Sequence, residues 1–163
     1  MVLLPLLLFA GISCKIYSFS GANIPENIKT VYVRYIENRA RYVNPQLSPQ
    51  LTDKLRQKII SQTRLTQVNG ENADYDISGK ITTYDVSTSG ISSQQVATNR
   101  LTVGVSLVLT DRKSEGVQPK EIAVSRSFDF SATLTLQQAE SRLNEEIIRN
   151  LTDEIFNRIF SDW

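Results

Sequence analysis

At 163 residues, with 40% hydrophobic and 21% charged side chains, the chain has room for one packed domain and little more. Eighteen basic residues against 17 acidic ones leave a formal charge of +1, which excludes the basic bias of a nucleic-acid binder. Histidine is absent and cysteine occurs once, at Cys14, so an internal disulfide, a Cys/His zinc site and any histidine-based triad are excluded.

The amino terminus carries the first signal. Met1 to Ile12 is apolar throughout, yet too short for the roughly 20 residues that span a bilayer as a helix. Its length suits the apolar core of a secretory signal. Small residues follow (Ala10, Gly11, Ser13), and then Cys14. Apolar run, small residues, cysteine is the lipobox order of bacterial lipoproteins, in which the thiol takes a diacylglycerol and the signal is cut just before it. Residues 1–13 are thus expected to be a lipoprotein-type signal peptide, with Cys14 as the lipid attachment site. The competing reading, a buried cysteine behind a core strand, is opposed by the lack of alternation. Residues 14–27 hold Ser, Gly, Asn and Pro and read as a tether into a single domain over 28–163.

Ile28 to Ile36 reads as a strand with Ile28, Val31, Val33 and Tyr35 on its buried face. Glu37 to Leu47 is a loop containing Pro45. Ser48-Pro49 opens a helix, the hydroxyl as N-cap and proline at the first helical position. Leu51, Leu55 and Ile59 share one face of it, and it fades near Thr63. Leu65 to Val68 is a short strand ending at the turn signal Asn69-Gly70.

Three longer strands follow. Tyr75 to Val86 alternates loosely around Ile77, Ile81 and Tyr84. Leu101 to Leu109 alternates cleanly through Leu101, Val103, Val105, Leu107 and Leu109. Ile122 to Phe130 carries Ile122, Val124, Phe128 and Phe130. Ser87 to Thr98, a Ser/Thr/Gln-rich connection longer than a tight hairpin requires, joins the first two. Its polar, uncharged side chains suit contact with another protein or a watery lumen, or simply a loop tip.

The last helix opens on the capping box Thr135-Leu136-Gln137-Gln138. Leu143, Ile147, Leu151, Ile155 and Ile159 form its stripe, widened by Ile148, Phe156 and Phe160, enough to cover a sheet. The predicted fold is α+β: order β-α-β-β-β-β-α, with two helices packed on one mostly antiparallel sheet.

Chemistry-bearing clusters are scarce. Asp74 and Asp76 lie two apart on one strand face, but a hard cation wants six or more oxygens, and solvated strand-edge charges explain them better. Glu145 and Glu146 are matched by Arg142 and Arg149 at helical i,i+3 spacing. The glycines show no phosphate-loop spacing. Arg39 and Arg41 suit an anionic lipid headgroup or, more simply, a wet loop. Asn150-Leu151-Thr152 is a chance sequon inside a helix. No catalytic, cofactor-binding or metal-binding residue is assigned, and no cofactor is expected.

With the motifs in order, the chain resembles the LptE family of outer-membrane lipopolysaccharide-assembly lipoproteins. The resemblance is carried by Cys14-Lys15-Ile16-Tyr17-Ser18-Phe19-Ser20-Gly21-Ala22, by Asn38-Arg39-Ala40, by Asn99-Arg100-Leu101-Thr102-Val103 and by Glu154-Ile155-Phe156-Asn157-Arg158. It implies a non-enzymatic protein held on the periplasmic face of the outer membrane, with Cys14 matching the family's acylated cysteine. It also implies a partner, the large β-barrel translocon LptD, which such proteins plug and help to assemble, with lipopolysaccharide as a further ligand. Two other classes compete: a periplasmic lipoprotein that scaffolds or activates an envelope enzyme or secretion complex, and a hydrolase or transferase using carboxylates alone. The latter needs a pocket with two carboxylates about 5–9 Å apart.

Overall fold

A computed structural model describes residues 23–70, 72–89 and 97–161. The expected signal peptide over 1–13, Cys14 and most of the expected tether lie outside the described residues, as does the centre of the Ser87–Thr98 connection. The elements run β1 (Thr30–Val33), β2 (Glu37–Asn38), α1 (Leu47–Gln62), β3 (Thr66–Gln67), β4 (Tyr75–Ser89), β5 (Thr98–Asp111), β6 (Lys120–Ser131) and α2 (Leu136–Phe160). This is the predicted order, with a two-residue β2 added inside the expected loop.

The sheet order is β3-β1-β4-β5-β6, with β2 also paired to β4. β4, β5 and β6 form an antiparallel meander. The short strands differ: β1 pairs in parallel with both β3 and β4, and β2 pairs in parallel with β4. The sheet is therefore mixed. A helix carries the chain from β1 to β3, and such a crossover returns a strand in the same direction.

Both helices cover one face of the sheet. The core joins Val31, Ile77, Leu101, Val105 and Leu107 of the strands to Leu51, Leu55 and Ile59 of α1 and to Ile147, Leu151 and Ile155 of α2. Every inward residue predicted for β5 is buried. β4 alternates only loosely because it contains a bulge. Ile81 pairs with Val105 and Thr83 with Gly104, leaving Thr82 as the extra residue. The inward set therefore changes phase, from Ile77 and Ile81 to Tyr84. Gly104 faces Thr83 across this bulge, and a Cβ there would stand 3.0 Å from the Thr83 Cβ.

Two local expectations are corrected. Tyr35 is 53% exposed and Ile36 takes the buried position instead. β1 ends at Val33, whose carbonyl accepts two hydrogen bonds from the Arg56 guanidinium (3.1 and 2.7 Å), so the alternation does not run through Tyr35. α1 begins two residues early, with Gln46 at its N-cap and no side-chain cap. Ser48 is buried inside the first turn, its hydroxyl without a hydrogen-bond partner among the described residues. The Thr135–Gln138 capping box of α2 is present as predicted, with both reciprocal hydrogen bonds made. Gly70, at the predicted turn, takes φ +111°, a conformation that favours glycine.

Candidate interaction surface

The face of the sheet turned away from the helices is built from small and hydroxylated side chains. β5 presents Thr102, Ser106 and Val108, β6 presents Ala123, Ser125 and Ser127, and β4 presents Ser78. Thr102 and Ser127 share a cross-strand hydrogen bond at 2.9 Å, and Arg100 grips Asp129 with two bonds of 2.7 and 2.9 Å. Glu37, Arg39, Lys80 and Glu121 ring a shallow trough floored by Ser78, Ser106 and Val108. Strand alternation produces this face: wherever β5 buries a Leu or Val, the next residue lies on the polar side.

One end of the strands is tied by a charge knot. Asp76, 6% exposed, accepts from Arg34 Nε at 2.9 Å and Arg34 Nη2 at 2.8 Å, and Arg112 also pairs with it. The Arg34 hydrogen bonds hold its carboxyl below the usual carboxylate range despite burial, with Arg112 adding to the effect. Asp74 accepts from the backbone N–H groups of Lys29 (2.7 Å) and Thr30 (3.0 Å) and from Lys113 (3.2 Å). These bonds, the Lys29 N–H first, lower its pKa to about 2. The pair was read from the sequence as solvated edge charge, and that reading is corrected. Both carboxylates stitch β1 to the meander, because β1 is a short parallel strand with few ladder bonds of its own.

Towards the opposite end of β4, Tyr84 donates to Glu140 at 2.8 Å and Asn44 donates to the same carboxylate oxygen at 3.2 Å. Tyr42 stacks on Tyr84 with ring centroids 5.4 Å apart. Burial, reinforced by Glu140, raises the Tyr84 pKa well above the usual phenol range. Sequence reading missed Glu140, since a single carboxylate early in a helix looks like surface. It also missed Arg126, which occupies an inward phase of β6 between Val124 and Phe128 and pairs with Glu154 of α2. The gap in the apolar series at 126 was the available signal.

The other candidates sit apart. Arg39 pairs with Glu37 at 2.6 Å on the exposed surface, and Arg41 is exposed. Glu145 and Glu146 form no ion pair with Arg142 or Arg149 among the described residues, which corrects the expected i,i+3 pairing. All four are exposed, where such pairs contribute little. No group of three or more Asp, Glu or Cys that could hold a metal ion occurs among the described residues. No described helix is long and apolar enough to cross a membrane.

Comparison with known families decides what kind of body this is. The model of the LptE lipopolysaccharide-assembly family matches residues 28–159, essentially the whole described body. The chain belongs to the LptE family. Members of that family serve lipopolysaccharide assembly as lipoproteins rather than as catalysts. A search of curated proteins returned no match.

Solved structures place the LptE body in a wider set of folds. The hypothetical protein CT253 from Chlamydia trachomatis is similar over 81% of this chain and 98% of its own, with a TM-score of 0.54 at 8% identity. The PelC dodecamer subunit from Paraburkholderia phytofirmans is similar over 86% and 94%, with a TM-score of 0.51 at 13% identity. A minor lipoprotein from Acinetobacter baumannii is 18% identical over 80% of this chain and 91% of its own, with a TM-score of 0.48. At these identities the first two show a shared fold alone.

Proposed function

We propose that this LptE-family chain is anchored through Cys14 on the periplasmic face of the outer membrane, where it plugs a β-barrel translocon of the LptD type and assists its assembly. The family match over residues 28–159 carries the reading. Acylation at Cys14 would supply the anchor, each buried methylene contributing about 0.8 kcal/mol. The polar, mostly small outer face of the sheet and the formal charge of +1 suit a body seated in a water-filled lumen. Lipopolysaccharide itself is a second ligand in this reading.

The test is a gentle detergent extraction of outer membranes, followed by tagged pull-down and mass spectrometry. Recovery of a large β-barrel in near-equal amounts is the expected outcome. Recovery of soluble-domain envelope proteins alone would replace this reading with that of a periplasmic scaffold. Cys14→Ala is expected to release the chain from the membrane fraction.

A further inference from the structure

Glu140 holds a half-buried negative charge beside an open trough at the start of α2. The carboxylates that tie other elements together, Asp74, Asp76, Asp153 and Glu154, each meet a lysine or an arginine. Glu140 ties the loop after β2 and strand β4 to α2 with neutral donors alone. Its Oε1 accepts from the Tyr84 hydroxyl at 2.8 Å and from the Asn44 amide at 3.2 Å, while Oε2 accepts from the Tyr42 hydroxyl at a long 3.4 Å. No lysine or arginine among the described residues forms an ion pair with it. A carboxylate offers about four lone-pair sites, so Oε2 keeps room for a strong donor. Beyond burial, Glu140 raises the pKa of both Tyr42 and Tyr84, and no cation opposes it there.

The trough lies between the loop after β2 and the first turns of α2, lined by Tyr42, Asn44, Gln46, Gln137, Glu140 and Asn144, with no basic residue on its walls. Tyr84 stacks on one face of the Tyr42 ring, yet Tyr42 stays 43% exposed, so its other face looks outward. Asn144 donates its side-chain N–H to Gln50 at 2.6 Å, which leaves its carbonyl oxygen as an acceptor. An aromatic face, an uncompensated carboxylate and amide oxygens thus converge on one opening.

We propose that this trough takes an arginine side chain of a partner protein. A guanidinium is planar, carries five N–H donors, and stacks on an aromatic ring while it pairs with a carboxylate. Stacked on Tyr42, it would reach Oε2 of Glu140 and offer its remaining donors to the amide oxygens. Lysine, a compact and strongly hydrated point charge, uses the carboxylate but not the plane. An anionic headgroup is repelled by Glu140, and a neutral sugar would leave its charge uncompensated. The rim favours a protein over a small molecule. Val43, next to Tyr42 in the chain, is 55% exposed, and aromatic residues with arginine are what protein interfaces concentrate. The inference is the same for a barrel partner and for a periplasmic one, so it stands apart from the reading above.

Titration of the full chain, in non-ionic detergent, with a capped Gly-Arg-Gly peptide tests it. The readout is the NMR shift of the Asn44 and Gln137 side-chain amides. Saturable shifts with a millimolar dissociation constant are expected for the arginine peptide. The lysine counterpart should bind several-fold more weakly, and the neutral citrulline counterpart should leave the signals unmoved. Glu140→Gln keeps an acceptor for Tyr84 but not the charge, and is expected to weaken the arginine peptide by about tenfold or more. Tyr42→Leu removes the ring and keeps the carboxylate, so it should narrow the preference for arginine over lysine whether or not Glu140→Gln folds. Equal response to the citrulline peptide, or no response to the arginine peptide, overturns the proposal. Shifts with maltose alone would make the trough a sugar site. Free arginine binding as tightly as the capped peptide would make it a small-molecule site. Either of these also overturns it.

Discussion

Tyr84 and Glu140 stand 56 residues apart in the chain and meet in a hydrogen bond of 2.8 Å. The bond fastens β4 to the early turns of α2, and Asn44 brings the loop after β2 to the same carboxylate. Tyr84→Phe is expected to cost about 1 kcal/mol in urea denaturation, the usual worth of a partly buried hydrogen bond. The raised pKa gives an independent reading. Since the folded state favours the neutral phenol, this contribution is complete below pH 10 and is lost as the pH climbs above it. In an ultraviolet titration the latest-ionising tyrosine component should be lost in Tyr84→Phe.

Asp74 gives the opposite pH dependence. Its pKa falls from 3.8 to about 2 on folding, so its contribution is complete above about pH 4 and is lost as the pH drops towards 2. At about 1.4 kcal/mol per unit, Asp74→Asn is expected to cost about 2 kcal/mol at neutral pH. Denaturation of both proteins across the acid range should show the gap closing between about pH 4 and pH 2. A gap that stays constant would mean that the carboxylate charge is not what the Lys29 and Thr30 amides hold.

Gly79 tests how tightly the strands pack. A Cβ there would stand 3.0 Å from both the Leu107 Cγ and the Ser106 carbonyl oxygen. A side chain can shift, but a backbone carbonyl within a ladder cannot shift cheaply. Gly79→Ala is expected to destabilise by about 1–3 kcal/mol, outweighing the entropy that alanine removes from the unfolded chain. Thermal unfolding of the variant decides the sign.

The two helix starts should respond differently to the same change. Thr135→Ala removes a working cap and is expected to cost about 0.5–2 kcal/mol. Ser48→Ala removes a buried hydroxyl that has no partner among the described residues, and is expected to be neutral or slightly stabilising. Chemical denaturation of both variants makes the comparison. An equal loss in the two would restore Ser48 as the cap of α1.

These contrasts show where the sequence was readable. The buried faces of β5 and α2 were legible because each sets a strict period, from Leu101 to Leu109 and from Ile147 to Ile159. The capping box was legible because its bonds are local. What stayed hidden depended on distant chain. The bulge at Thr82 exists only against Gly104, and Arg56 ends β1 from a helix 23 residues away. The parallel pairing of β1 leaves no periodic mark, since direction is set by the crossover. The Asp76 knot and Glu140 were invisible for the same reason: their partners lie 36 to 98 residues off.

The mixed sheet also divides the molecule by sequence separation. From Tyr75 onward each element packs on its immediate successor, β4 on β5, β5 on β6 and β6 on α2, so loop closure between them is short. β1 finds its partner in β4 only after more than forty intervening residues have been made. In a chain synthesised from its amino terminus, the first strand emerges early and its berth is completed late. The early third of the chain is therefore the part most in need of protection from stray pairing until the meander closes, and destabilising the meander should raise aggregation more than loosening β1 does.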